Sequence, residues 1–194
     1  MMNATTLRNP RVLILALTLL MALTRSHHWA GLHTLPDASW AVFFLGGAVL
    51  GSLRAFAGLC ALAAAIDWAA IVLGGVSGFC VTPAYAMLLP AYAALWLGGR
   101  WYARQRRGVS EPWAALVLAV LLSALVAELC SSGGFYFFGG RYADPTLAGF
   151  LPRLVRYFPP MLGTMACYVG LAVAAWAALS AMLPRQAAAR REDR

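Results

Sequence analysis

The chain has 194 residues, of which 62% are hydrophobic and only 11% charged, against about 25% charged in ordinary soluble domains. Its mean hydropathy is +0.72; a water-soluble core cannot absorb that much apolar surface in so short a chain, and too little is polar for disorder, so both classes are excluded. All 15 basic residues are arginines and the net charge is +8, but they flank apolar segments and do not interleave with base-stacking aromatics, which reads as membrane orientation and excludes a nucleic-acid surface.

Six apolar segments predict one all-α transmembrane domain over residues 1–194, with spans at about 8–26, 40–53, 55–73, 83–98, 112–130 and 160–183. The first has its apolar heart at 12–24, between Arg11 and Arg25. At about 1.5 Å per residue that heart is short for a hydrocarbon core of about 30 Å, so the span extends past arginines whose stems snorkel. It lacks a small-x-small cleavage site before Arg25 and is expected to be retained. The second span stops at Arg54, the third contains Asp67 and the fifth contains Glu128. Ala57, Ala61, Ala65 and Ala69 recur at every fourth position of the third span, as do Ala166, Gly170, Ala174 and Ala178 in the sixth. Such small ridges predict close helix contacts.

With six spans, eleven of the 15 arginines fall on the side of the termini, leaving Arg25, Arg141, Arg153 and Arg156 on the other. The positive-inside rule then places both termini in the cytoplasm. The outer connections, 25–39, 74–82 and 131–159, carry His27, His28, His33, Asp37, Cys80, Arg153 and the run Phe135-Tyr136-Phe137-Phe138. Any chemistry is therefore expected to face outward.

An acid inside an apolar helix is costly. Asp67 reads either as a hydrogen-bond acceptor or cation partner lining an outward cavity, or as the structural partner of an arginine or a tryptophan N–H. Glu128, a few residues from the outer interface, reads either as a functional acid or as simply solvated. Cys80 sits on the glycine-rich bend Gly74-Gly75-Val76-Ser77-Gly78 just before Pro83, where a helix start favours a thiolate, a nucleophile and soft metal ligand. It reads equally as an inert thiol or as half of a Cys80–Cys130 disulfide, while Cys60 and Cys167 read as apolar filler. His27, His28, His33 and Asp37 match no specific metal-ligand spacing. Leu147, Phe150, Leu151, Leu154 and Phe158 fall at helical spacing and predict a short helix on the membrane surface, from which Arg153 offers five donors to a polar ligand or headgroup. No phosphate loop, nucleotide fingerprint or serine triad motif is present.

His27-His28, Leu35-Pro36-Asp37-Ala38-Ser39, Asp67 on the third span and Cys80-Val81-Thr82-Pro83-Ala84-Tyr85 resemble the BtuM family of small bacterial cobalamin transporters. That family is similar to the substrate-binding S-components of energy-coupling factor transporters. The resemblance implies an S-component-like six-helix bundle in the bacterial inner membrane with a corrinoid pocket on its outer side. It implies that Cys80 ligates cobalt and acts chemically on bound cyanocobalamin, that Asp67 and Tyr85 line the pocket, and that Arg153 and His28 contact the ligand. Cobalamin would be the transported ligand and membrane lipid the surroundings. The first span offers Thr18 and Ala22 where S-components often carry an alanine pair for docking an ATP-driven module; the departure fits a solitary protein. Two other readings compete. One is a nickel or cobalt ion transporter built on His27, His28, His33 and Asp37. The other is a thiol-disulfide membrane oxidoreductase using Cys80 and Cys130, against which the lack of a Cys-x-x-Cys pair counts.

Overall fold

A computed structural model describes residues 9–25, 35–75, 77–78, 82–106 and 112–192, the stretch 182–192 as backbone only. Helix is the only regular structure among the described residues, with no strand. Helix α1 spans Pro10–Arg25, α2 Ser39–Val49 and α3 Leu53–Val72. A 3-10 turn, Pro83–Met87, leads into α4, Leu88–Gln105. Helix α5, Pro112–Glu128, runs through a π turn, Leu129–Gly133, into the short α6, Gly134–Phe138. Helix α7 covers Leu147–Glu192. Among the described residues three stretches are long and apolar enough to cross a membrane: Leu53–Val72, Pro112–Phe138 and Leu147–Ala181. The chain is thus an all-helical protein of membrane character.

Local sequence sets the helix ends. Asn9 begins α1, its Oδ1 accepting the Arg11 N–H at 3.0 Å while Pro10, whose missing N–H costs nothing there, occupies the first turn. Gly51, at φ 60°, turns the chain between α2 and α3, and the Arg100 guanidinium donates to its carbonyl. The Glu128 carboxylate accepts from Ser132 Oγ, one turn on, inside the π turn.

The core is built around α2. Only 11 residues long, it measures about 16 Å at 1.5 Å per residue. Trp40, Ala41, Val42, Phe43, Phe44, Gly46 and Gly47 are all buried, so it is apolar on every side. Its principal neighbour is α4. Phe43 stacks on Tyr92 with centroids 4.0 Å apart, and Phe56 of α3 meets Phe43 and Trp96 edge-on at 5.8 and 5.4 Å. A Cβ at Gly47 would enter the backbone of Trp96, and one at Gly99 the backbone of Phe44. Lipid tails are as apolar as leucine, so close van der Waals contact must hold such helices together, and these glycines permit it.

Several expectations fail here. The alanine ridge of α3 does not pack: Ala57, Ala61 and Ala65 are exposed, and Leu59, Ala63 and Ala70 face the protein instead. On α7 the buried residues are Phe150, Met165 and Val169, while Ala166, Gly170, Ala174 and Ala178 are exposed. The contact role falls to the glycine doublets Gly46-Gly47 and Gly98-Gly99. The separate surface helix near residue 150 does not exist either; it and the last apolar segment form one helix, α7. Pro159 and Pro160 forfeit two backbone hydrogen bonds without ending it, as prolines can in apolar helices whose neighbours and local adjustments compensate. Glu128 is not solvated but 2% exposed.

Candidate functional site

Arg25, the last residue of α1, is the hub of a polar cluster that joins four segments of the chain. Its Nε donates to Asp67 Oδ1 at 2.7 Å and its Nη2 to Asp67 Oδ2 at 2.6 Å, a two-pronged ion pair with α3. Its Nη1 donates to Ser39 Oγ at 2.8 Å, to Tyr92 Oη at 3.0 Å and to Asp37 Oδ2 at 3.4 Å. Tyr85 Oη donates to Asp67 Oδ2 at 2.8 Å. Asp37 Oδ1 in turn accepts from both the Ser39 N–H, at 2.9 Å, and Ser39 Oγ, at 2.6 Å. A planar guanidinium suits this arrangement because its fork matches one carboxylate while its remaining N–H groups reach others. The Arg25 side chain is 11% exposed, against 26% for Asp67 and 31% for Asp37. Among the described residues one cation thus stands between two carboxylates, a formal excess of one negative charge.

Neighbouring bonds fix the frame. Thr24 Oγ1 accepts from the Ala38 N–H at 3.1 Å, tying α1 to the start of α2. Tyr168 Oη of α7 donates to the Pro36 carbonyl at 2.8 Å. Thr82, one residue before the 3-10 turn, buries its Oγ1 without a hydrogen-bond partner among the described residues. Next to the cluster, between α3 and the start of α4, lies an apolar cavity of about 170 Å³ lined by Cys60, Ala63, Ala64, Tyr85, Ala86, Leu88, Leu89 and Tyr92. Tyr85 and Tyr92 therefore serve twice, with rings on the cavity and hydroxyls in the cluster.

Of the residues singled out from sequence, Asp67 and Tyr85 come together here. Asp67 accepts from Arg25 through both oxygens and from Tyr85 through one, and its side chain keeps 26% exposure, so the partner it finds is an arginine. Cys80 and His28, like His27 and His33, lie outside the described residues. Arg153 is elsewhere. Its guanidinium sits over the rings of Tyr142, Tyr157 and Tyr136, at 5.0, 5.4 and 5.7 Å from their centroids, a cation–π platform. Tyr136 is itself packed against Tyr142 and Phe150 at 4.6 and 5.7 Å, so the aromatic run forms a folded cluster. Cys60, Cys130 and Cys167 carry free thiols; Cys60 packs against the apolar core and lines the cavity, and Cys167 is exposed on α7. Among the described residues no three His, Cys, Asp or Glu side chains gather as a metal site.

Arg25, Ser39 and Tyr92 were missed by sequence reasoning. Arg25 was counted as a flanking charge, yet an arginine ending one apolar segment and an aspartate inside another each need a partner, and that mutual need was the available signal. No known protein family and no curated protein matches the chain in sequence.

Proposed function

We propose that the protein binds a corrinoid on the outer side of a bacterial inner membrane and carries it inward, with six membrane crossings and both termini in the cytoplasm. One observation carries this reading. The segments that resemble the cobalamin transporters are far apart in the chain, yet Asp37, Asp67 and Tyr85 from three of them meet in a single hydrogen-bonded cluster. The unpartnered Thr82 hydroxyl, from the same motif as Cys80, adds a polar group for a ligand to satisfy. At about 170 Å³ the cavity beside the cluster is smaller than the roughly 300–1,000 Å³ of ordinary ligand sites, so binding requires it to widen. In this reading Tyr85 and the Asp67–Arg25 pair border the ligand, Arg153 contacts it from α7, and His28 contacts it as well.

Cys80, five residues before Tyr85 in the chain, is the proposed cobalt ligand, thiolate being suited to a polarisable metal. With cyanocobalamin the step is a ligand exchange. The thiol loses its proton, sulfur bonds to cobalt, and cyanide leaves with that proton as hydrogen cyanide. Cobalt keeps its oxidation state. Purified with cyanocobalamin, the wild type is expected to show a shifted visible corrin spectrum, and Cys80→Ala an unshifted one with weaker binding. Identical spectra and affinities would dispose of ligation, and a colourless wild-type preparation would dispose of the corrinoid reading.

The orientation is tested separately. Reporter fusions after Arg107 and Arg194 are expected to read cytoplasmic and a fusion after Asp144 periplasmic, from the arginine distribution. A periplasmic signal at Arg194 would reverse the assignment.

A further inference from the structure

Helix α3 is held to the rest of the protein in two different ways along its length. Near its start Phe56 is wedged against Phe43 and Trp96, and Leu59 is buried. Beyond the cavity apolar contact is thinner: Ala70 is buried and Ile66, Ala69 and Ile71 are half-buried, while Trp68 is 65% exposed and Val72 and Leu73 are exposed as well. The strong attachment of this half is polar, the Asp67 carboxylate gripped by Arg25 and Tyr85. The chain then leaves α3 through Gly74 and Gly75, the latter at φ 64°, a conformation only glycine adopts freely. The cavity lies where the apolar attachment gives way to the polar one, with Cys60 on its wall.

We propose that the Arg25–Asp67–Tyr85 cluster is a latch, and that its release lets the C-terminal half of α3 pivot on Phe56 and widen the adjoining cavity. As the means by which the ligand site opens, the latch rests on the corrinoid reading; as a motion of α3 it is measured with no ligand present. Two properties make the cluster suited to release. It is only partly shielded from water, and its single cation is shared by two carboxylates, so Asp37 retains Arg25 when Asp67 lets go.

The test is the rate at which N-ethylmaleimide alkylates Cys60 in the full-length protein, with Cys80, Cys130 and Cys167 replaced by alanine and no corrinoid added. Asp67→Asn and Tyr85→Phe each remove a hydrogen bond involving a charged group, so each is expected to speed Cys60 alkylation by about tenfold. A cysteine placed at the fully buried Ala124 (Ala124→Cys, in a background lacking the other four cysteines) reports general loosening and is expected to keep its rate. The Tyr85→Phe protein decides the matter if Asp67→Asn does not fold. A Cys60 rate within about twofold of the parent in a folded variant overturns the latch, as does an equal acceleration at position 124. Because no corrinoid is present, a failed latch leaves the corrinoid reading standing, and failure of corrinoid binding leaves an alkylation result standing.

Discussion

Leucine in place of Arg25 is expected to destabilise the fold by about 3 kcal/mol. Breaking a buried ion pair costs roughly 3–5 kcal/mol because the surviving charge is stranded. The lower end applies because Asp67 and Asp37 keep 26% and 31% exposure and recover part of their hydration. The same change removes the donor to Tyr92 Oη, while Ser39 Oγ loses Arg25 but keeps its bond to Asp37. Removing the stranded carboxylate as well, in Arg25→Leu with Asp67→Leu, is expected to restore a good part of the loss, since a matched pair of apolar residues has no desolvated charge to carry. Denaturation in detergent micelles measures all three proteins. Equal midpoints for wild type and Arg25→Leu would mean that the cluster adds nothing to stability, and a double variant no better than the single would mean that Asp67 was never the stranded group.

The second large effect is expected at the α2–α4 contact. Gly99→Ala and Gly47→Ala each drive a methyl group into a facing backbone, that of Phe44 in one case and Trp96 in the other. No rotamer relieves such a clash, so the helices must part and the stacked Phe43–Tyr92 pair opens with them. Overpacking of this kind costs about 1–3 kcal/mol and occasionally more. Gly58→Ala, on α3 with open space where its Cβ would stand, is the contrasting case. Alanine there removes backbone freedom from a helix interior and is expected to stabilise by about 0.5–1 kcal/mol. Thermal unfolding of the three variants should rank Gly58→Ala above wild type and both α2–α4 variants below it. A Gly99→Ala protein as stable as wild type would contradict the close approach.

The helical class and the positions of the apolar segments were legible because apolar runs bounded by arginine, glycine and proline leave few alternatives. Which faces pack was not. Alanine ridges at every fourth residue suggested contacts that the fold does not make, whereas two adjacent-glycine pairs marked the contact it does make; periodicity describes one helix and cannot say which neighbour its face meets. The end of α7 nearest the membrane surface was misread for a local reason. Pro159-Pro160 signals a break when only intrahelical bonds are counted, and the helix runs on regardless. For Glu128 the solvated alternative fails because distance along a span was taken for depth; its carboxylate is buried and accepts from Ser132 Oγ within the π turn. At the site, Asp67 and Tyr85 were found, and Asp37 was noted as an outward acid, but the residue that unites them was passed over because a terminal arginine has a second, commoner explanation.

The burial of α2 on every side bears on how the protein is made. An 11-residue helix is too short to settle across a bilayer by itself, and its main partner, α4, begins about 40 residues after it ends, with the whole of α3 in between. At a synthesis rate of about 5–20 residues per second the ribosome takes several seconds to deliver the facing glycine at position 99. Throughout that interval α2 has no finished place to go, so it must wait beside the translocation machinery or in a provisional arrangement with α1, and the last step of assembly is its enclosure by chain that did not exist when it emerged.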